Sequence, residues 1–133
     1  MEGSAEERFV RQFVRKRHRE RLLHELTSPK KRYRGLDRFC HGAYELVDPA
    51  LVVTEGEDLE RSASFAQFAQ VNSEPCDVLS PDPNLDGLCL PLAEAAALSA
   101  MGTDAAIVLG GDFAVVFGEA EQGGRTKLLL KAR

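Results

Sequence analysis

Three short apolar runs near the C-terminus constrain this chain more than any other feature. They are Ile107-Val108-Leu109, Phe113-Ala114-Val115-Val116-Phe117 and Leu128-Leu129-Leu130. Each has the length of a strand and is built from branched or aromatic residues. None alternates apolar with polar positions, as a strand with one wet face does. Successive side chains on a strand point to opposite faces, so a continuous apolar run needs cover on both. Gly110-Gly111-Asp112 between the first two runs makes a tight hairpin turn. The expectation is an antiparallel three-stranded meander: Ala105–Leu109, Phe113–Phe117 and Thr126–Lys131. Helices cover both sides of it, or one face meets another subunit.

The upstream chain supplies helices. Ser4 with Glu7 three residues on makes a capping box, which opens a helix running to about Leu26. With Phe9 at zero and steps of about 100°, Phe9, Val10, Phe13 and Val14 lie between about 0° and 140°. Leu22, Leu23 and Leu26 lie between about 220° and 320°. The stripe changes faces across Arg15–Arg21, so the helix bends or touches different neighbours at its two ends. Ser28-Pro29 restarts the chain. From there to Asp48-Pro49, Tyr33, Leu36, Phe39, Cys40, Ala43, Tyr44 and Val47 share one arc of roughly 100–120°. The two segments form a helical hairpin.

After Pro49, Ala50–Val53 reads as a strand and Glu57–Gln70 as a helix capped by Thr54. Glu55, Glu57, Asp58 and Glu60 complement the dipole of that helix. Cys76–Ser80 reads as a strand, and Pro91 opens a helix, Leu92–Met101, ended by Gly102. The fold class is α+β: an N-terminal helical hairpin, then a mixed sheet of about five strands ending in the meander, with helices packed on it. The reading is a single domain over 1–133, divided into a basic hairpin (1–48) and an acidic α/β part (49–133).

The formal charge of −4 hides a split. Residues 1–45 carry 12 Lys/Arg and 7 Asp/Glu, and the remainder carries 5 and 14, giving +5 and −9. This excludes a uniformly basic nucleic-acid binder. No apolar run approaches the ~18 residues of a membrane span, and the N-terminus has no signal-peptide pattern, so a cytoplasmic protein with no membrane partner is expected. Cys40, Cys76 and Cys89 are too far apart for a C-x-x-C zinc pair and read as structural buried thiols.

The basic surface is the first candidate site. Arg8, Arg11, Arg15 and His18 follow i, i+3, i+7, i+10, and Lys31, Arg34 and Arg38 repeat the device on the second segment. Guanidinium groups hold carboxylates and phosphates with paired hydrogen bonds. The expected partner-binding residues are Arg11, Arg15, His18, Lys31, Arg34 and Arg38. The partner is an acidic protein or another subunit, as in a homodimer, with nucleic acid as the alternative through the same face. Asp82-x-Asn84-x-Asp86-Gly87 matches the opening of a calcium loop. Its twelfth position is Ala93 where a glutamate is needed, so an ordinary turn is the better reading. Cys40-His41 are neighbours on a helix, about 100° apart, and cannot pair there. No nucleophile motif or glycine-rich phosphate loop is present, and the sequence calls for no cofactor and no metal. It favours a non-catalytic interaction or regulatory module over a small enzyme or ligand sensor with a pocket between sheet and helices. In that second case the acids would come from Asp82, Asp86, Glu94 or Asp112.

Overall fold

A computed structural model describes residues 3–122 and 124–133. Six strands form one sheet: β1 (Val52–Glu55), β2 (Pro75–Leu79), β3 (Cys89–Pro91), β4 (Ala106–Leu109), β5 (Phe113–Phe117) and β6 (Lys127–Lys131). Their order is β1-β6-β5-β4-β2-β3. Every neighbouring pair is antiparallel, so the sheet is not mixed, and it has one strand more than the sequence implied. The extra strand is β3, three residues long, which lacks the length to give a periodic signal.

The meander forms where expected, and its strands are buried on both faces. Ile107, Leu109, Ala114, Val116, Leu128 and Leu130 join one core, while Ala106, Val108, Phe113, Val115, Phe117 and Leu129 join the other. Helices supply both covers. On one side lie α1 (Ala5–Phe13), α2 (Lys16–Thr27), α3 (Arg32–Asp37) and α4 (Phe39–Leu46). On the other lie α5 (Ala63–Val71) and α6 (Leu92–Met101). The architecture is three layers, helices on sheet on helices. Among the described residues no helix is long and apolar enough to cross a membrane.

The single helix expected over Ala5–Leu26 is two. The chain unwinds at Val14 and Arg15, both with extended backbone. The break turns the second leucine stripe back to the core that Phe9 and Phe13 already occupy. Val14 bridges Val47, with Arg15 N–H donating to Leu46 O at 2.7 Å and Asp48 N–H to Phe13 O at 2.8 Å. The second arm is also divided, at Arg38, and Gly42 leaves helical geometry inside α4. Tyr33 and Tyr44, expected on the buried arc, are instead 64% and 47% exposed.

The helix expected from Glu57 begins only at Ala63. Gly56 has a φ of +145°, which breaks the run after β1, and a 3-10 turn at Leu59–Arg61 follows. Ser62, not Thr54, caps α5 by accepting from Phe65 N–H. Glu57 and Glu60 therefore do not sit on a helix dipole. Glu57 accepts from Arg125 N–H at 3.1 Å, and Glu60 holds the buried Lys127 at 2.9 Å.

Candidate functional site

The fold divides the predicted basic residues into two groups. Arg15 and Arg38 are engaged internally. Arg15 sits at the break between α1 and α2 and donates to Val47 O (3.0 Å) and Tyr44 O (2.8 Å), closing the C-terminus of α4. Arg38 grips Glu25 through both carboxylate oxygens, each at 2.7 Å. Glu25 is only 4% exposed, and the Arg38 bonds hold its carboxyl below the usual range. Arg11 pairs with Glu7 one turn away at 2.7 Å on an exposed face. The break also separates Arg11 on α1 from His18 on α2, so the single stripe read from the sequence is split.

Lys31 and Arg34 are exposed and have no carboxylate within ion-pair distance among the described residues. Lys30 and Arg17 share that condition. Beside them, α2 and α4 enclose a cleft of about 300 Å³ with His18, Arg21 and Arg38 on its walls, Leu22 and Leu46 at its floor, and Glu45 opposite. Three arginines converge on the one buried carboxylate there. Arg38 binds it directly, Arg21 stands 3.9 Å from it, and Arg34 is close enough to lower its pKa. Two carboxylates, Glu25 and Glu45, stand against three guanidinium groups, so this corner keeps a positive surplus of one.

A second, larger cleft of about 610 Å³ lies between α4 and the segment joining β5 to β6. His41 from α4 meets Glu119 at 3.0 Å through Nε2 and Glu121 at 2.7 Å through Nδ1. Glu55 and Glu57 line the same cleft, and the Tyr44 hydroxyl donates to Glu55 at 2.7 Å. Its two permanent cations are turned to other work. Arg125 donates to the carbonyls of Gly118 (2.7 Å), Asp104 (2.7 Å) and three residues at the end of α6, with Phe117 beneath its guanidinium. Lys127 holds Glu60 and Glu57 O. Cys40 borders the cleft, but burial pushes its thiol up to about 11, so it stays protonated at neutral pH. As expected for helical neighbours, Cys40 is buried and His41 exposed; of the other two thiols expected to be buried, Cys76 is, but Cys89 on the short edge strand β3 is exposed.

The calcium-like loop serves as a scaffold. Asp86 accepts from Arg32 at 2.8 and 3.1 Å and from Ser80 N–H at 3.1 Å. Asp82 accepts from Asn84 N–H at 2.8 Å, an Asx turn, and Gly87 takes a φ of +87°. Arg32 also reaches Glu6 at 2.5 Å, so one guanidinium ties α1, α3 and this loop together. Glu94 and Asp112 are exposed on separate elements, the first turn of α6 and the β4–β5 turn.

Sequence reasoning missed the roles of Arg32, Arg125 and the His41 cluster, because each depends on partners distant in the chain. Nothing local marks Arg125 as the residue that closes α6, or His41 as a neighbour of Glu119. No protein-family model matches the chain, and no curated protein or solved structure matches it either.

Proposed function

We propose that this chain is a non-catalytic interaction module that docks an acidic protein segment on the α2–α3 corner. The observation that carries this reading is the convergence of Arg21, Arg34 and Arg38 on the single carboxylate of Glu25. Arg38 is held by Glu25, which leaves Arg21, Arg34 and the neighbouring Lys31 to receive carboxylates from outside. The cleft between α2 and α4 offers an apolar floor for one side chain of the incoming segment. Arg15 and Arg38 thus position the corner, while Arg34, Lys31 and Arg21 make the contact and His18 lines the wall. The three cysteines are free, in keeping with a reducing, cytoplasmic setting.

The test is charge reversal at two exposed positions that make no direct ion pair among the described residues. Lys31→Glu with Arg34→Glu should abolish retention on an immobilised poly-glutamate peptide while leaving the urea midpoint within the range of a surface change, about 0.5 kcal/mol. Retention by the doubly reversed protein would show that another face binds. Light scattering across a salt series tests the related possibility that the acidic partner is a second copy of this chain.

One observation favours a second reading. Tyr33 stands exposed between Lys31 and Arg34, an aromatic face beside cations, as single-stranded nucleic acid uses for stacking. That reading expects retention on single-stranded DNA or RNA with a steep salt slope, lost in Tyr33→Ala. Retention on the acidic peptide alone excludes it.

A further inference from the structure

The second cleft carries an inference independent of the docking reading. We propose that His41, Glu119 and Glu121 form a binding site for a divalent first-row transition ion of the zinc class. The geometry supplies the ligand set. Nε2 of His41 and a carboxylate oxygen of Glu119 are 3.0 Å apart. Two donors each about 2.1 Å from one ion stand about 3.0 Å apart at a right angle and about 3.4 Å apart at the tetrahedral angle zinc favours, so this pair needs to open by only about 0.4 Å. The other ring nitrogen, Nδ1, meets Glu121 at 2.7 Å. A metal-bound imidazole characteristically donates its second N–H to a carboxylate, which fixes the ring and makes the ligating nitrogen more basic. The donor atoms of all three side chains lie within 4.8 Å of one another, with Glu121 as the outer carboxylate that orients the ring.

The backbone holds these groups in place before any ion arrives. Glu119 N–H donates to Cys40 O at 2.9 Å, which fastens the loop to the helix residue preceding His41. Gly118 permits the approach: a Cβ there would stand 3.1 Å from Cys40 O and 3.3 Å from the Thr126 side chain. Glu121 sits in a tight turn closed by reciprocal backbone bonds with Gly124, at 3.1 and 3.2 Å.

Charge favours a cation here. Four carboxylates border the cleft, and its arginine and lysine are bound to carbonyls and to Glu60. Among the described residues, the His41 imidazole is the basic group that meets Glu119 and Glu121. An imidazole nitrogen with carboxylate oxygens suits zinc, manganese, iron or nickel, whereas calcium takes oxygen ligands alone. Two direct protein ligands leave coordination positions for water, so the ion is exchangeable.

The site is tested with the metal alone on the full chain. Zinc titration by calorimetry should give one binding event, weakened more than about tenfold in His41→Ala and in the isosteric Glu119→Gln. Glu121→Gln should weaken it by about tenfold, as loss of an orienting carboxylate does. Substoichiometric manganese should broaden the ring resonances of His41 and leave those of His18 and His24 sharp. Broadening centred on His18 or His24 would overturn the site. So would zinc affinity unchanged in Glu119→Gln, or calcium binding as tightly as zinc. All three substituted side chains are exposed or half-exposed, so unchanged far-ultraviolet circular dichroism will separate lost ligation from lost fold.

Discussion

The two clefts that flank α4 are opposites in charge and also in how that charge is held. On the α2 side, one buried glutamate faces three arginines, and the surplus is positive. On the far side, one histidine faces two glutamates, with two more on the rim. A count of charges along the chain predicts the sign of each region. It does not predict which charges are free. Arg15 and Arg38 contribute to the positive count but are fastened to α4 carbonyls and to Glu25. Arg125 and Lys127 stand in the acidic region yet neutralise little of its open face, because their donors point into the fold. Availability, not number, separates a docking surface from a structural ion pair.

The largest effect is expected where a cation is a scaffold. Arg125→Ala leaves five carbonyl groups without their donor and removes the cover on Phe117. It should cost about 3 kcal/mol in urea unfolding. A loss below about 0.5 kcal/mol would move Arg125 into the class of replaceable surface cations.

Next comes the Glu25–Arg38 pair. Arg38→Ala strands a buried carboxylate and should cost about 2 kcal/mol, reduced from the fully buried case because Arg38 is partly solvated. Since Glu25 is held below its ordinary value of 4.5, its contribution is full above that pH and is lost as pH falls through the lowered folded value. Acid unfolding of Glu25→Gln should lack this component. Matching acid profiles for the two proteins would break the assignment.

Gly118→Ala tests the acidic side. The added methyl must push the loop from Cys40 O, so stability should fall by about 1 kcal/mol and zinc affinity should fall with it. Loss of stability with unchanged zinc affinity would separate the loop anchor from the cluster. Smallest is Tyr44→Phe, which removes an exposed bond to Glu55 and should change stability by less than about 0.5 kcal/mol.

Much of the fold was legible in particular residues. Ser4 and Glu7 located the first helix, and Pro91 and Gly102 bracketed α6. The unbroken apolar strands required two covering layers. The unread parts share a cause. The break at Val14–Arg15 was present as a stripe that changes faces, but whether a helix bends, spans two neighbours or unwinds depends on what lies opposite. Here Val47 and the end of α4 complete the backbone bonds that unwinding releases. The late start of α5 arose because Glu57 and Glu60 found Arg125 and Lys127, more than sixty residues away, in place of a helix terminus.

For the candidate sites the division is similar. Lys31 and Arg34 could be placed on an exposed face by helical spacing alone. Tyr33 was placed by the same spacing on the buried arc, yet it is 64% exposed. The sequence by itself determined the α+β class, the meander, the need for cover on both of its faces and the sign of each half, since these follow from local periodicity and composition. Only the tertiary structure decided which arginines are occupied, and only it brought His41 beside Glu119 and Glu121. Ion pairs and ligand sets are contacts between distant segments, fixed when the layers pack and a glycine lets two backbones approach.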